Sequence, residues 1–141
     1  MAASHTLHAT SVAWDNRAVI ITGKSGSGKS ALGLQLMALG CKLVADDGVR
    51  LTLDNDHVVA QAPDTIKGLI EARGIGILNA QVQRRARVVL VVNLDQSEQS
   101  RLPEARSFEV LGHNLPLIYR VDAPHFAAAI LQILKSGWSD R

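Results

Sequence analysis

The chain has 141 residues, 47% of them hydrophobic and 20% charged, with a net charge of +2 from 15 basic and 13 acidic side chains. This length and apolar content suit one domain, 1–141, with a core that needs no disulfide staples, and the even charge balance excludes a nucleic-acid binder held by bulk electrostatics. Cys41 is the single cysteine, no stretch nears the ~20 apolar residues of a membrane span, and the start lacks the basic-then-apolar layout of a signal peptide; a cytoplasmic protein that contacts neither membrane nor nucleic acid is expected.

In chain order, Thr6–Trp14 alternates in places and turns at Asp15-Asn16 into the β-branched run Arg17–Thr22, which predicts an antiparallel hairpin. A glycine-rich segment follows, then Ala31–Leu39, mostly good helix formers, which Gly40 stops. Cys41 sits between that stop and an apolar run, the setting of a packed thiol rather than a nucleophile. Lys42–Ala45, Val49–Leu53 and His57–Ala60 read as strands separated by Asp46-Asp47-Gly48 and Asp54-Asn55-Asp56.

From Thr65 to Ala80, Ile66, Leu69 and Ile70 stand at helical spacing, which predicts a turn or two of helix before Gly74-Ile75-Gly76 breaks it. Arg84, Arg85 and Arg87 lead into Ala86–Leu94, the clearest buried strand; the arginines read equally as a solvated strand entrance or as anion contacts. Ser107–Leu111 and Leu115–Val121 are expected strands around a Gly112-His113-Asn114 turn. Asp122 is the expected cap of a last helix, with Pro124 in its first turn, an apolar stripe from Phe126 to Leu134, and Gly137 at its end. About eight strands and two helices cannot supply one crossover helix per parallel strand, so the sheet must be mixed or largely antiparallel.

Residues 23–30 read Gly23-Lys24-Ser25-Gly26-Ser27-Gly28-Lys29-Ser30, a full match to the phosphate-loop pattern G-x-x-x-x-G-K-[ST] with a strand before it and a helix after it. The glycines let backbone N–H groups curl around phosphate oxygens, Lys29 reaches the outer phosphates, and the Ser30 hydroxyl suits Mg²⁺. The helix N-terminus adds positive potential at the same place. Asp46 and Asp47 end the strand that follows this helix, where one can face a metal and the other a reacting hydroxyl as general base; a plain Asp-Asp-Gly turn is the structural alternative.

The phosphate loop, its spacing to L-V-A-D-D, and the later I-E-A-R-G-I-G-I-L together resemble the catalytic domain of the HPr kinase/phosphorylase family, from about His8 to Gly137. The resemblance implies a fold like that of the phosphoenolpyruvate carboxykinases, a mixed, largely antiparallel sheet around a P-loop. It implies a protein serine kinase that uses ATP, or pyrophosphate as donor, with Mg²⁺ to phosphorylate the phosphocarrier HPr or a paralogue. By the same resemblance Lys29 and Ser30 hold phosphates and Mg²⁺, Asp47 is the general base with Asp46 beside it, and Glu71 is a second Mg²⁺ ligand. Arg73, Gly74 and Gly76 belong to the catalytic segment, His8 lies near the base, and Arg101 in R-L-P is a catalytic arginine. A short form without the family's N-terminal domain is expected, as a homo-oligomer and in the family a hexamer. Leu115–Arg120 lacks the lysine and glycine of the segment linked to dephosphorylation, Ala31 replaces a usual glutamate, and Ala9 replaces the glycine after His8. These departures point to kinase activity rather than phosphorolysis. Two other readings stand beside this one: a small-molecule kinase, which needs a deeper substrate pocket, and a non-catalytic nucleotide sensor, against which Asp46, Asp47 and Glu71 argue.

Overall fold

The computed structural model describes residues 3–63 and 68–141. Among them lie β1 (Ser4–Leu7), β2 (Ala9–Trp14), β3 (Arg17–Thr22), α1 (Lys29–Ala38), β4 (Lys42–Ala45), β5 (Val49–Asp54) and β6 (His57–Gln61). They are followed by β7 (Leu69–Ala72), β8 (Gly76–Asn79), β9 (Arg85–Ser97), β10 (Arg106–Val110), β11 (His113–Arg120) and α2 (Phe126–Ser136).

β9 organises the fold. Along one edge it runs parallel to β3, from Arg87 opposite Arg17 to Asn93 opposite Thr22. Its other edge is divided: Arg85–Arg87 pair antiparallel with β6, and from Val91 onward β11 takes over in parallel. Every remaining strand pair is antiparallel, so the sheet is mixed with a parallel centre, as the shortage of helices requires. The outer order runs β1-β5-β6-β9-β3-β2-β4.

Both faces of the central strands are buried, which is why β9 reads as an almost unbroken apolar run. One face carries Val12, Val19, Ile21, Leu90 and Val92 against Leu32 and Leu36 of α1 and Ile130 and Leu134 of α2. The other carries Ile20, Val88 and Val91 against Val44, Leu51, Val58 and Leu115, where the sheet curls over itself. Between the pairs Ala18–Val88 and Val19–Leu90 the register slips by one residue, which turns Val88 and Leu90 to opposite faces. Arg17 Nη1 donates to the carbonyls of Leu134 (3.0 Å) and Lys135 (2.8 Å), satisfying the C-terminal end of α2 and tying it to the start of β3.

The hairpin at Asp15-Asn16 and the strands β3 to β6 lie where the sequence puts them. Four local expectations are corrected. The first strand divides at His8, and its outer piece, β1, pairs with β5. Of the expected helix after Thr65, residues 64–67 lie outside the described residues, while Leu69–Ala72 is a strand that forms a two-stranded ribbon with β8. The hairpin between β10 and β11 turns on Leu111-Gly112, both left-handed at φ 52° and 77°, the geometry of a two-residue turn, so His113 and Asn114 belong to the strand. The N-cap position of the last helix is His125, which gives no side-chain cap, and not Asp122, which instead lies 3.8 Å from Arg120. The arginine run proves mostly structural: Arg85 pairs with Asp54 at 3.0 Å, and Arg87 is a ladder residue between β3 and β6.

Candidate active site

The phosphate loop hangs from the C-terminal end of β3, and its conformation follows from its glycines. A Cβ on Gly23 would collide with the Ser27 hydroxyl and come within 3.2 Å of Leu94 Cβ, so no larger residue fits there. Lys29, 8% exposed, folds back so that Nζ donates to the carbonyls of Gly23 (2.8 Å) and Lys24 (3.1 Å), which bridges the near shoulder of the loop. α1 carries no acidic residue in its first turn, leaving its positive end free for an anion.

Two residues that sequence reasoning missed hold the loop from the neighbouring strands. Asp95, near the end of β9, accepts the Lys24 backbone N–H at both carboxylate oxygens (3.0 and 3.1 Å). Arg120, the last residue of β11, donates from Nε to the Leu94 carbonyl (3.1 Å) and from Nη2 to the Ser27 carbonyl. The apolar run ending in Asp95 was a readable signal for the first. Arg120 stood in the sequence only as the end of the Leu115–Arg120 segment, and its hold on the loop was not readable because its partner lies 93 residues away in the chain.

Facing the loop is a cleft of 360 Å³, and Thr10, a third missed residue, lies in its floor. Asp46 Oδ1 accepts hydrogen bonds from Ser30 Oγ and Thr10 Oγ1, each 2.7 Å, and its Oδ2 accepts the Glu71 N–H at 3.2 Å. Three donors therefore fix Asp46 beside the loop and leave acceptor capacity on its carboxylate. Asp47 is not: its side chain is 77% exposed, and its carboxylate meets His8 Nε2 at 3.4 Å. Asp47 also carries a left-handed backbone, φ 62°, although Gly48 follows it with no such angle. A plain Asp-Asp-Gly turn would hand that conformation to the glycine, so the backbone aims Asp47 at the cleft at a cost in strain.

The β7–β8 ribbon closes the cleft. Its turn brings Glu71, Arg73 and Ile75 to the rim, with Gly74 and Gly76 at φ 84° and 144° allowing the reversal. Arg73 Nη2 lies 3.9 Å from the Cβ position of Gly26, directly over the loop. The structure thus gathers His8, Asp46, Asp47, Glu71, Arg73, Ser25, Gly26, Gly28, Lys29 and Ser30 around one cleft. Arg101 does not join them: it is exposed on the segment between β9 and β10 and does not line the cleft. Among the described residues no three His, Cys, Asp or Glu side chains cluster as a protein-only metal cage. The Ser30 hydroxyl against the Asp46 carboxylate, with Glu71 on the rim, is nonetheless the hard-oxygen set that suits Mg²⁺ shared with phosphates.

Loop, paired aspartates and overhanging ribbon define a phosphate-loop α/β domain. The family model for the HPr Serine kinase C-terminal domain matches residues 1–122, so the chain belongs to that family. It is similar to the HPr kinase/phosphorylase of Bacillus subtilis (strain 168), 43% identical over 91 residues, which covers 59% of this chain and 29% of that protein. It is 42% identical over 91 residues to the HPr kinase/phosphorylase of Bacillus mycoides (strain KBAB4), with the same coverage. The chain thus spans less than a third of the length of these curated relatives. The solved structure of the Hpr(Ser) kinase/phosphatase from Coxiella burnetii superposes with a TM-score of 0.75 at 26% identity, covering 93% of this chain and 88% of that one. The fold is the phosphoenolpyruvate carboxykinase-like P-loop fold. Among the described residues no helix is long and apolar enough to cross a membrane.

Proposed function

We propose that this chain is a protein serine kinase domain that transfers the γ-phosphate of ATP to a serine of HPr or a paralogous phosphocarrier, acting in the cytoplasm as a homo-oligomer. The observation that carries this reading is the division of labour between the two aspartates: Asp46 locked to Ser30 beside the phosphate loop, Asp47 open to the cleft and paired with His8. The names of its relatives, HPr kinase/phosphorylase, supply the acceptor.

Phosphoryl transfer asks little covalent chemistry of the protein; positioning and charge neutralisation supply most of the rate. The loop N–H groups and Lys29 hold the polyphosphate, and Arg73 over Gly26 brings a second positive charge to it. Ser30 and Asp46, with Glu71, would hold Mg²⁺, which when bound neutralises charge on the phosphate oxygens. Asp47 accepts the proton of the attacking serine hydroxyl, and His8 orients the carboxylate that receives it.

The test is transfer of labelled γ-phosphate from ATP·Mg²⁺ to purified HPr-type phosphocarriers, comparing the native chain with Asp47→Ala and Lys29→Ala. Serine labelling that both substitutions abolish is the expected result. Nucleotide binding without labelling of any phosphocarrier would overturn the protein-kinase reading.

A further inference from the structure

Gly33 stands inside α1 with ordinary helical backbone, so its conformation gives no reason for a residue that weakens helices. Contact with its neighbours supplies one. A Cβ at this position would lie 3.1 Å from Thr10 Cγ2 on β2, 3.6 Å from Ile70 Cδ1 on β7 and 3.7 Å from Val12 Cγ1. The last two are ordinary packing distances and the first is tighter, so the glycine is what lets α1 close onto the Thr10 methyl. Gly33 thus marks the point where α1, β2 and β7 meet. The same three elements supply the donors on Asp46: Ser30 from α1, Thr10 from β2, and from β7 the N–H of Glu71, the residue after Ile70. Ser30 is three residues before Gly33, a spacing that puts both on one face of the helix.

Thr10 is fully buried, with its methyl against Gly33 and its hydroxyl donating to Asp46 Oδ1 at 2.7 Å. A β-branched side chain held at its methyl has its hydroxyl direction fixed as well. Ser30 donates to the same oxygen at 2.7 Å, and a carboxylate oxygen offers two lone-pair sites, so Oδ1 is filled. The acceptor capacity left on Asp46 is therefore on Oδ2, which takes only the Glu71 N–H at 3.2 Å. With its proton held by Oδ1, the Ser30 oxygen keeps its lone pairs for a cation. We infer that Thr10 and Gly33 are positioning residues of the Mg²⁺ site: Gly33 seats Thr10, and Thr10 holds the Asp46 carboxylate so that Oδ1 orients Ser30 and Oδ2 stays open to the metal. Neither residue touches a reacting atom. The inference rests on the reading of Ser30 and Asp46 as the Mg²⁺ site.

Calorimetric titration of the native chain with ATP, once in Mg²⁺ and once in EDTA, gives the factor by which the metal tightens the nucleotide. Thr10→Val, which keeps the methyl and deletes the hydroxyl, should cut that factor about tenfold with the affinity in EDTA unchanged, the usual size of effect for a group that orients a metal-binding side chain. Gly33→Ala, whose added methyl meets that of Thr10, should cut it in the same direction. Adding Thr10→Ser to Gly33→Ala removes the obstructing methyl, keeps the hydroxyl, and should restore the factor. A merely structural pair would shift the melting temperatures and leave the metal factor at its native value in every variant; that result, or a Gly33→Ala loss that Thr10→Ser does not restore, overturns the inference while the Ser30 and Asp46 site stands. A native chain that binds ATP no tighter in Mg²⁺ than in EDTA overturns the metal-site reading, and the inference with it. Should Thr10→Val fail to fold, recognised by lost ATP binding in EDTA, Gly33→Ala with and without Thr10→Ser decides the matter.

Discussion

His8 Nε2 and the Asp47 carboxylate face each other at 3.4 Å across the mouth of the phosphate cleft, both more than half exposed. This contact and the strained backbone beneath it make Asp47 costly to the fold and useful to the site. Asp47→Asn keeps a residue that tolerates left-handed backbone but removes the proposed base, so turnover should fall about 10²–10⁴-fold with nucleotide affinity unchanged. Asp47→Gly should lose activity equally yet gain about 1 kcal/mol of stability, because the strain at φ 62° is relieved. Steady-state kinetics and urea unfolding on the two variants check both halves; a destabilised Asp47→Gly would remove the strain argument.

Asp46 makes the opposite prediction. It is the common acceptor for Ser30, Thr10 and the Glu71 N–H, and Thr10 is fully buried. Asp46→Ala leaves the Thr10 hydroxyl without a partner inside the sheet and should cost about 2–3 kcal/mol. Adding Thr10→Val should recover part of that loss, since removing both partners spares the desolvation penalty. Denaturant melts of the two single variants and the double variant supply the cycle; strict additivity would show that the hydrogen bond does not matter.

Burial pushes the Cys41 thiol from its ordinary 9.0 up to about 11, with Lys135 pulling slightly the other way. In the unfolded chain the thiol ionises first, so between about pH 9 and 11 the unfolded state binds fewer protons and Cys41's contribution to stability falls as pH rises. Below pH 9 that contribution is fully present. Cys41→Ala should therefore flatten the loss of stability above pH 9. Alkylation of the native thiol at pH 8 should be far slower than in the unfolded chain, which a timed mass-spectrometric assay reads directly.

The phosphate loop was legible in the sequence because Gly23–Ser30 is self-contained: the backbone shape and the ligand-binding groups come from the same eight residues. The centre of β9, Val88–Val92, was legible because burial on both faces leaves no polar position there to confuse the pattern. The β7–β8 ribbon was not, because Ile66, Leu69 and Ile70 share helical spacing by chance, and β7 finds its ladder partner only in β8. The aspartate pair could be recognised from its residues but given roles only through the resemblance, since the three donors from β2, α1 and β7 that fix Asp46 are brought together by the fold. Arg101 illustrates the reverse: a residue carried over by resemblance alone, which this chain places outside the cleft.

Arg120 gives the sharpest test of how the loop is held. Its planar fork reaches the Leu94 carbonyl and the Ser27 carbonyl at once, which links the ends of β9 and β11 to the loop at Ser27, while Asp95 holds it at Lys24. A lysine has one compact ammonium and cannot hold both carbonyls in that geometry. Arg120 touches no reacting atom, so it acts as a positioning residue for the loop N–H groups. Arg120→Lys should raise the KM for ATP about tenfold, roughly 1.4 kcal/mol of binding, with a smaller effect on kcat. Arg120→Ala should weaken binding further and be partly restored by added guanidinium, which refills the site between the two carbonyls. A purely structural role would instead lower the melting temperature of both variants while leaving KM and the guanidinium response flat, and that result would remove Arg120 from the loop's support.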